Sequence, residues 1–198
     1  MKGLSKVTTA ATLLAAIALG GCANHTEHSV PKPQAYHRIQ LPDSVFRAIS
    51  LLNVTLLLNS EAQVDTSTHT DGEWIDVSYP QFPGAHMYLT LTSTTPHELS
   101  ALIANREERV KLDIGNSTTE LTELTSEGEW KCRLFLNRHS VTTPVHVLAI
   151  NPARTRLLSG SLHIGTSANH HVTPDSIAPI VETCARDLLT TLKQISEQ

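Results

Sequence analysis

Two helix starts written in the same way divide this chain, and they decide what the stretches around them must be. Thr95-Pro96-His97-Glu98 sets a threonine cap, a proline at the first helical position and a glutamate where a capping box needs one. Leu99, Leu102, Ile103 and Val110 continue it as an apolar stripe, and the helix should end near Lys111, before Gly115. Thr173-Pro174-Asp175-Ser176 opens a second helix reaching about Ile195, with Ile177, Val181, Cys184, Leu188, Leu192 and Ile195 on one side. Pro179 comes early enough in it to be tolerated.

Short strands fill most of the rest. Residues 36–41 alternate and stop at Pro42, residues 43–52 read as a short helix capped by Asp43, and residues 53–58 place Val54, Leu56 and Leu58 on one side of a strand. Residues 61–72 are polar and turn-rich, so a loop is expected there. Two strands, 74–79 and 85–92, flank the turn Pro80-Gln81-Phe82-Pro83-Gly84. In the second, Ala85, Met87, Leu89 and Leu91 point inward and His86, Tyr88, Thr90 and Thr92 point the other way. After a polar connector at 116–128, with room for a short helical turn, strands 130–136, 145–150 and 156–164 form a meander. Strands, a helix, more strands and a helix give the α+β class, an antiparallel sheet of about six strands covered by two main helices. The order resembles the Mog1/PsbP-like α/β/α sandwich, an analogy of fold that carries no function.

Residues 1–21 stand apart from this domain. Lys2 and Lys6 begin a positive leader, and the apolar run at 7–19 is shorter than the ~20 residues that span a bilayer. It ends in Leu19-Gly20-Gly21-Cys22, which resembles a lipobox, so Cys22 is read as the lipid attachment residue and new N-terminus. The alternatives are an ordinary secretory leader that contains a cysteine, or a buried apolar helix. Each buried acyl methylene contributes about 0.8 kcal/mol, so two or three chains anchor where one is marginal. Residues 22–35 then form a lipidated tether stiffened by Pro31-Lys32-Pro33, and 36–198 a single globular domain. Ala23 rather than aspartate after the cysteine points to the outer membrane, facing the periplasm.

The net charge of −4 and scattered basic residues exclude a nucleic-acid groove. With Cys22 acylated, Cys132 and Cys184 remain, both on core-facing sides, and a disulfide between them is one reading; two small buried hydrophobes is the other. Eleven histidines show no ligand spacing: His97-Glu98 lacks the second histidine of a zincin helix. His170-His171 near Asp175 reads as solvated loop rather than metal site. Ser159-Gly160-Ser161 is not a nucleophile elbow, because Leu158 and Leu162 flank it. No catalytic residue, metal or cofactor is therefore assigned. His86, Tyr88 and Thr90 could line a ligand or partner surface, or simply a solvated or helix-covered sheet face.

Several segments together resemble the gliding motility lipoprotein GldD family of the Bacteroidota. They are Pro31-Lys32-Pro33-Gln34-Ala35-Tyr36-His37-Arg38-Ile39-Gln40-Leu41-Pro42, then Trp74-Ile75-Asp76-Val77-Ser78-Tyr79-Pro80 with Tyr88-Leu89-Thr90-Leu91. The last are Ser159-Gly160-Ser161-Leu162-His163 and Pro174-Asp175-Ser176-Ile177-Ala178-Pro179, with Asp187 beyond. Gln34, the absence of Cys-Pro-Tyr around Leu52-Asn53-Val54, and His163 mark a divergent member. The resemblance implies a non-enzymatic envelope lipoprotein beside the gliding or type IX secretion apparatus, contacting other envelope proteins. It supplies no catalytic residues. A periplasmic module that binds a peptide, glycan or lipid on its sheet is the alternative.

Overall fold

The computed structural model describes residues 39–165 and 172–197. The leader, Cys22, the Pro-Lys-Pro tether and the His170-His171 pair lie outside the described residues. Among those described, the order is β1 (Phe46–Leu51), β2 (Val54–Asn59), β3 (Gln63–His69), β4 (Gly72–Ser78), β5 (Ala85–Ser93), α1 (Pro96–Ile114), β6 (Glu120–Thr125), β7 (Lys131–Leu136), β8 (Val145–Ile150), β9 (Arg156–Ile164), α2 (Pro174–Gln194) and β10 (Ser196–Glu197). No helix of the described residues is long and apolar enough to cross a membrane.

The α+β class holds, with a larger sheet than the six strands expected. Seven strands run in the order β3-β4-β5-β9-β8-β7-β6, every neighbouring pair antiparallel. A second, small sheet has the order β1-β2-β10. Alternation assigns the two faces of the large sheet different partners. Ile75, Val77, Met87, Leu89, Leu134, Val147 and Leu158 face the main core, where they meet Val181, Leu188 and Leu192 of α2 and Val54, Leu56 and Leu58 of β2. On the opposite face α1 rests through Leu99 on Leu148 and Leu157, helped by Leu102, Ile103, Phe135 and Ile150.

That contact is confined to one half of the sheet. Whereas α2 buries nine residues, α1 buries only Leu99 and Val110. Over β4 and β5, Trp74 and Tyr88 remain 47% exposed. A loosely seated helix above a partly open sheet face leaves a groove.

The sequence reading fails at three strands and one expected helix. Residues 43–52 are not a helix: the Asp43 N–H goes to Glu61 Oε1 at 2.7 Å and its carbonyl accepts from Asn59 Nδ2 at 2.8 Å, feeding the chain into β1. β1 turns into β2 through Leu52 and Asn53, both at positive φ, 48° and 64°, the mirror-image turn that matches strand twist. The loop expected at 61–72 is β3, and the connector at 116–128 contains β6. Both are edge strands with polar sequences, exposed along nearly their whole length, so the hydrophobic alternation that marks a strand is missing from them. Residues 39–41, expected to be strand, are irregular, with Ile39 laid against the core.

Candidate functional site

The groove is built from one row of residues across the sheet and one turn of helix above it. Register aligns Asp65, Asp76, Tyr88, Ser161 and His146 on neighbouring strands β3, β4, β5, β9 and β8. The next row contains Ser67, Trp74, Thr90 and Ser159. The sheet-facing stripe of α1 begins apolar with Leu99 and Ile103, then continues at helical spacing into Arg106 and Asp113, flanked by Arg109. That change of character halfway along the helix produces a polar-lined gap. It comprises two adjoining cavities, one of about 730 Å³ reaching Trp74 and one of about 420 Å³ reaching His146 and His163. Tyr88, Thr90, Arg106 and Arg109 line both.

Aromatic rings form the open end of the floor. Trp74 stacks on His69 with ring centroids 4.0 Å apart, and its indole N–H donates to Asp71 at 3.2 Å. Tyr88 lies between His86 and His163, at 5.6 and 5.4 Å. Asp76 is held by His86 Nδ1 at 3.0 Å. At the other end His146 is only 4% exposed. Burial pushes its pKa below the ordinary 6.5, and the Asp113 carboxylate offsets only part of that. Its Nε2 stands 3.9 Å from Asp113 Oδ2 and has no hydrogen bond. The Nε of Arg106 is also buried without a partner. Arg133 of β7 reaches Glu107 at 2.6 Å and ties the helix to the sheet beside the groove.

The components of an acyl-transfer site are present but distributed wrongly for one. Ser161 Oγ is 2.9 Å from His163 Nε2, while the Asp76 carboxylate pairs with His86 instead. β9 runs between β5 and β8, so its backbone N–H groups are engaged in ladders rather than free to form an oxyanion hole. Ser159-Gly160-Ser161 is regular strand, not an elbow.

Other expected residues have structural positions. Glu98 accepts the Thr95 hydroxyl at 2.9 Å and belongs to the cap of α1. Among the described residues no three or more histidine, cysteine or acidic side chains converge to hold a metal ion. The Cys132–Cys184 disulfide is not formed, and both are buried free thiols. The reason is axial: Cys132 Sγ lies 3.6 Å from the Leu192 carbonyl oxygen, two turns and ~12 Å along α2 from Cys184, beyond the ~7 Å that a disulfide can bridge. Two segments distant in sequence do meet there, through Tyr79, whose hydroxyl donates to buried Asp187 at 2.6 Å.

Of His86, Tyr88 and Thr90, which alternation places on one sheet face, Tyr88 and Thr90 line both cavities and His86 lines neither, while the sequence reading missed Arg106, Arg109 and His146. The available signal was the stripe of α1, where arginines replace leucines at sheet-facing spacing.

The family model described as gliding motility lipoprotein GldD matches residues 26–196, from four residues beyond Cys22 through both sheets and both sides of the groove. A search of curated proteins finds no match.

Proposed function

The chain belongs to the gliding motility lipoprotein GldD family, and we propose that it works as a non-enzymatic accessory component of the cell envelope beside the gliding or type IX secretion machinery. The family match over residues 26–196 carries this reading. In it, Cys22 is acylated, the lipid sits in the outer membrane, and residues 22–35 hold the domain at short range on the periplasmic side. The eight residues between Cys22 and Pro31 reach at most ~26 Å when extended. The domain then contacts other envelope proteins. A binding role rather than catalysis is supported by the division of histidines on this sheet face, where the serine and the carboxylate address different rings.

The test is deletion of the gene followed by measurement of type IX cargo secretion and surface spreading. Loss of either, restored by the intact gene, supports the reading; normal secretion and normal spreading contradict it. The groove favours a second element, a ligand-binding capacity, with a chemistry of its own.

A further inference from the structure

We propose that the groove binds an acidic saccharide, with its carboxylate or phosphate beneath Arg106 and Arg109 and its hydroxyl-bearing ring toward Trp74. This deepens the reading of the groove as a binding site and is independent of the secretion role.

The two arginines carry the argument. They sit three residues apart on α1 and line both cavities. Neither makes an ion pair or hydrogen bond among the described residues, and Arg106 Nε is already out of water. Arg133 and Arg138, by contrast, are matched to Glu107 and to Glu120 and Glu182. Arg106 is half-buried and Arg109 exposed; the buried Nε–H of Arg106 is costly to leave without an acceptor, and two guanidinium forks lining one groove fit the oxygens of a carboxylate or phosphate.

His146 supplies the second, independent observation. It is more than nine-tenths buried, lines the smaller cavity, and its Nε2 is unpartnered. The ring bonds the Thr143 backbone and burial keeps it neutral, so the remaining nitrogen is an acceptor. The carboxylate of Asp113 at 3.9 Å cannot donate to it. What fits is a hydroxyl adjacent to the anionic group, which a sugar acid or sugar phosphate carries.

Charge sets the orientation. Three carboxylates, Asp65, Asp71 and Asp76, line the larger cavity with Trp74, against Asp113 alone in the smaller, so an anion is disfavoured at the Trp74 end while hydroxyl donors are welcome there. The exposed face of Trp74 can take the C–H face of a pyranose. The two cavities suit one small ligand lying along the groove.

The experiment uses the full-length lipoprotein in detergent, titrated with D-glucuronate, glucose 6-phosphate, glucose and inorganic phosphate. Tryptophan fluorescence is the readout, since Trp74 is exposed while the only other tryptophan, Trp130, is fully buried. At least one of the two acids should bind saturably, and about tenfold or more tighter than glucose, a factor set by a hydrogen bond to charge. Arg106→Gln with Arg109→Gln should weaken it by about tenfold or more, and Arg138→Gln, outside the groove, should not. Preference for glucuronate or glucose 6-phosphate identifies the head group. Binding of glucose as tight as the acids, or acid binding unaffected by the double substitution, overturns the acidic assignment while leaving a binding groove. Inorganic phosphate binding as tightly as the sugar phosphate overturns the saccharide assignment. No saturable binding of any probe up to about 10 mM, weaker than specific recognition by a preformed site, sinks both.

Discussion

Replacing Tyr79 by phenylalanine should destabilise the domain more than any other loss of a single hydroxyl. Tyr79 is 2% exposed and follows β4; Asp187, also 2% exposed, lies in mid α2; Asn59 ends β2. Asp187 Oδ2 accepts from the Tyr79 hydroxyl at 2.6 Å and from Asn59 Nδ2 at 3.0 Å, so one buried carboxylate joins the large sheet, the small sheet and the helix. Its Oδ1 is buried without a hydrogen bond, with Arg186 Nε 3.9 Å away. Phenylalanine fills nearly the same space, so the cost is that of a hydrogen bond to a charge, about 1.5–3 kcal/mol. With a urea slope of about 2 kcal/mol/M, the midpoint at pH 7 should fall by about 1 M with the slope unchanged. A shift under about 0.2 M would refute the reasoning, because the carboxylate would then be satisfied without the phenol. The pH dependence gives a second reading of the same bond. Burial and Asp187 hold the phenol protonated far above its ordinary 10.0. A raised folded pKa means that stability is present below pH 10 and lost as the pH rises beyond it. The wild-type protein should therefore lose stability above pH 10 more steeply than the phenylalanine variant.

Leu52→Asn should raise stability by about 0.5–1 kcal/mol, seen as a higher urea midpoint, because leucine takes a left-handed conformation that asparagine tolerates better. Burial pushes Cys132 to about 11 and Cys184 to about 12, so in the folded protein at pH 8 neither should react with a thiol reagent. After unfolding without reductant both should be labelled, whereas a disulfide would leave them unlabelled.

How much of this was legible depended on whether a residue's neighbours were local. The two Thr-Pro starts announced their helices because caps are short-range chemistry: Thr95 accepts from the Glu98 N–H, and Thr173 and Ser176 form a reciprocal box. The central strands were legible because the face toward α2 needs an apolar residue at every second position, as Ala85, Met87, Leu89 and Leu91 supply in β5. β3 and β6 were not, because an edge strand with one wet side and little cover draws its stability from pairing, which composition does not record. The hairpin from β1 to β2 was hidden because Leu52 stands where asparagine or glycine would signal the turn. The groove was half legible. Alternation in β5 exposed His86, Tyr88 and Thr90, but Arg106 and Arg109 acquire meaning only when α1 is laid across β8 and β9, and His146 looks like any strand residue until its burial is known.

The envelope role depends first on the anchor, and the most direct measurement is made on Cys22. Wild-type protein and Cys22→Ala should be expressed in the native cell, fractionated into membrane and soluble pools, and the N-terminal peptide weighed. The wild type should be found in the membrane pool, beginning at an acylated Cys22. The Cys22→Ala protein should be folded, with the wild-type urea midpoint, and soluble. A Cys22→Ala protein that still fractionates with membranes, or a wild-type N-terminal peptide without acyl chains, would contradict the account.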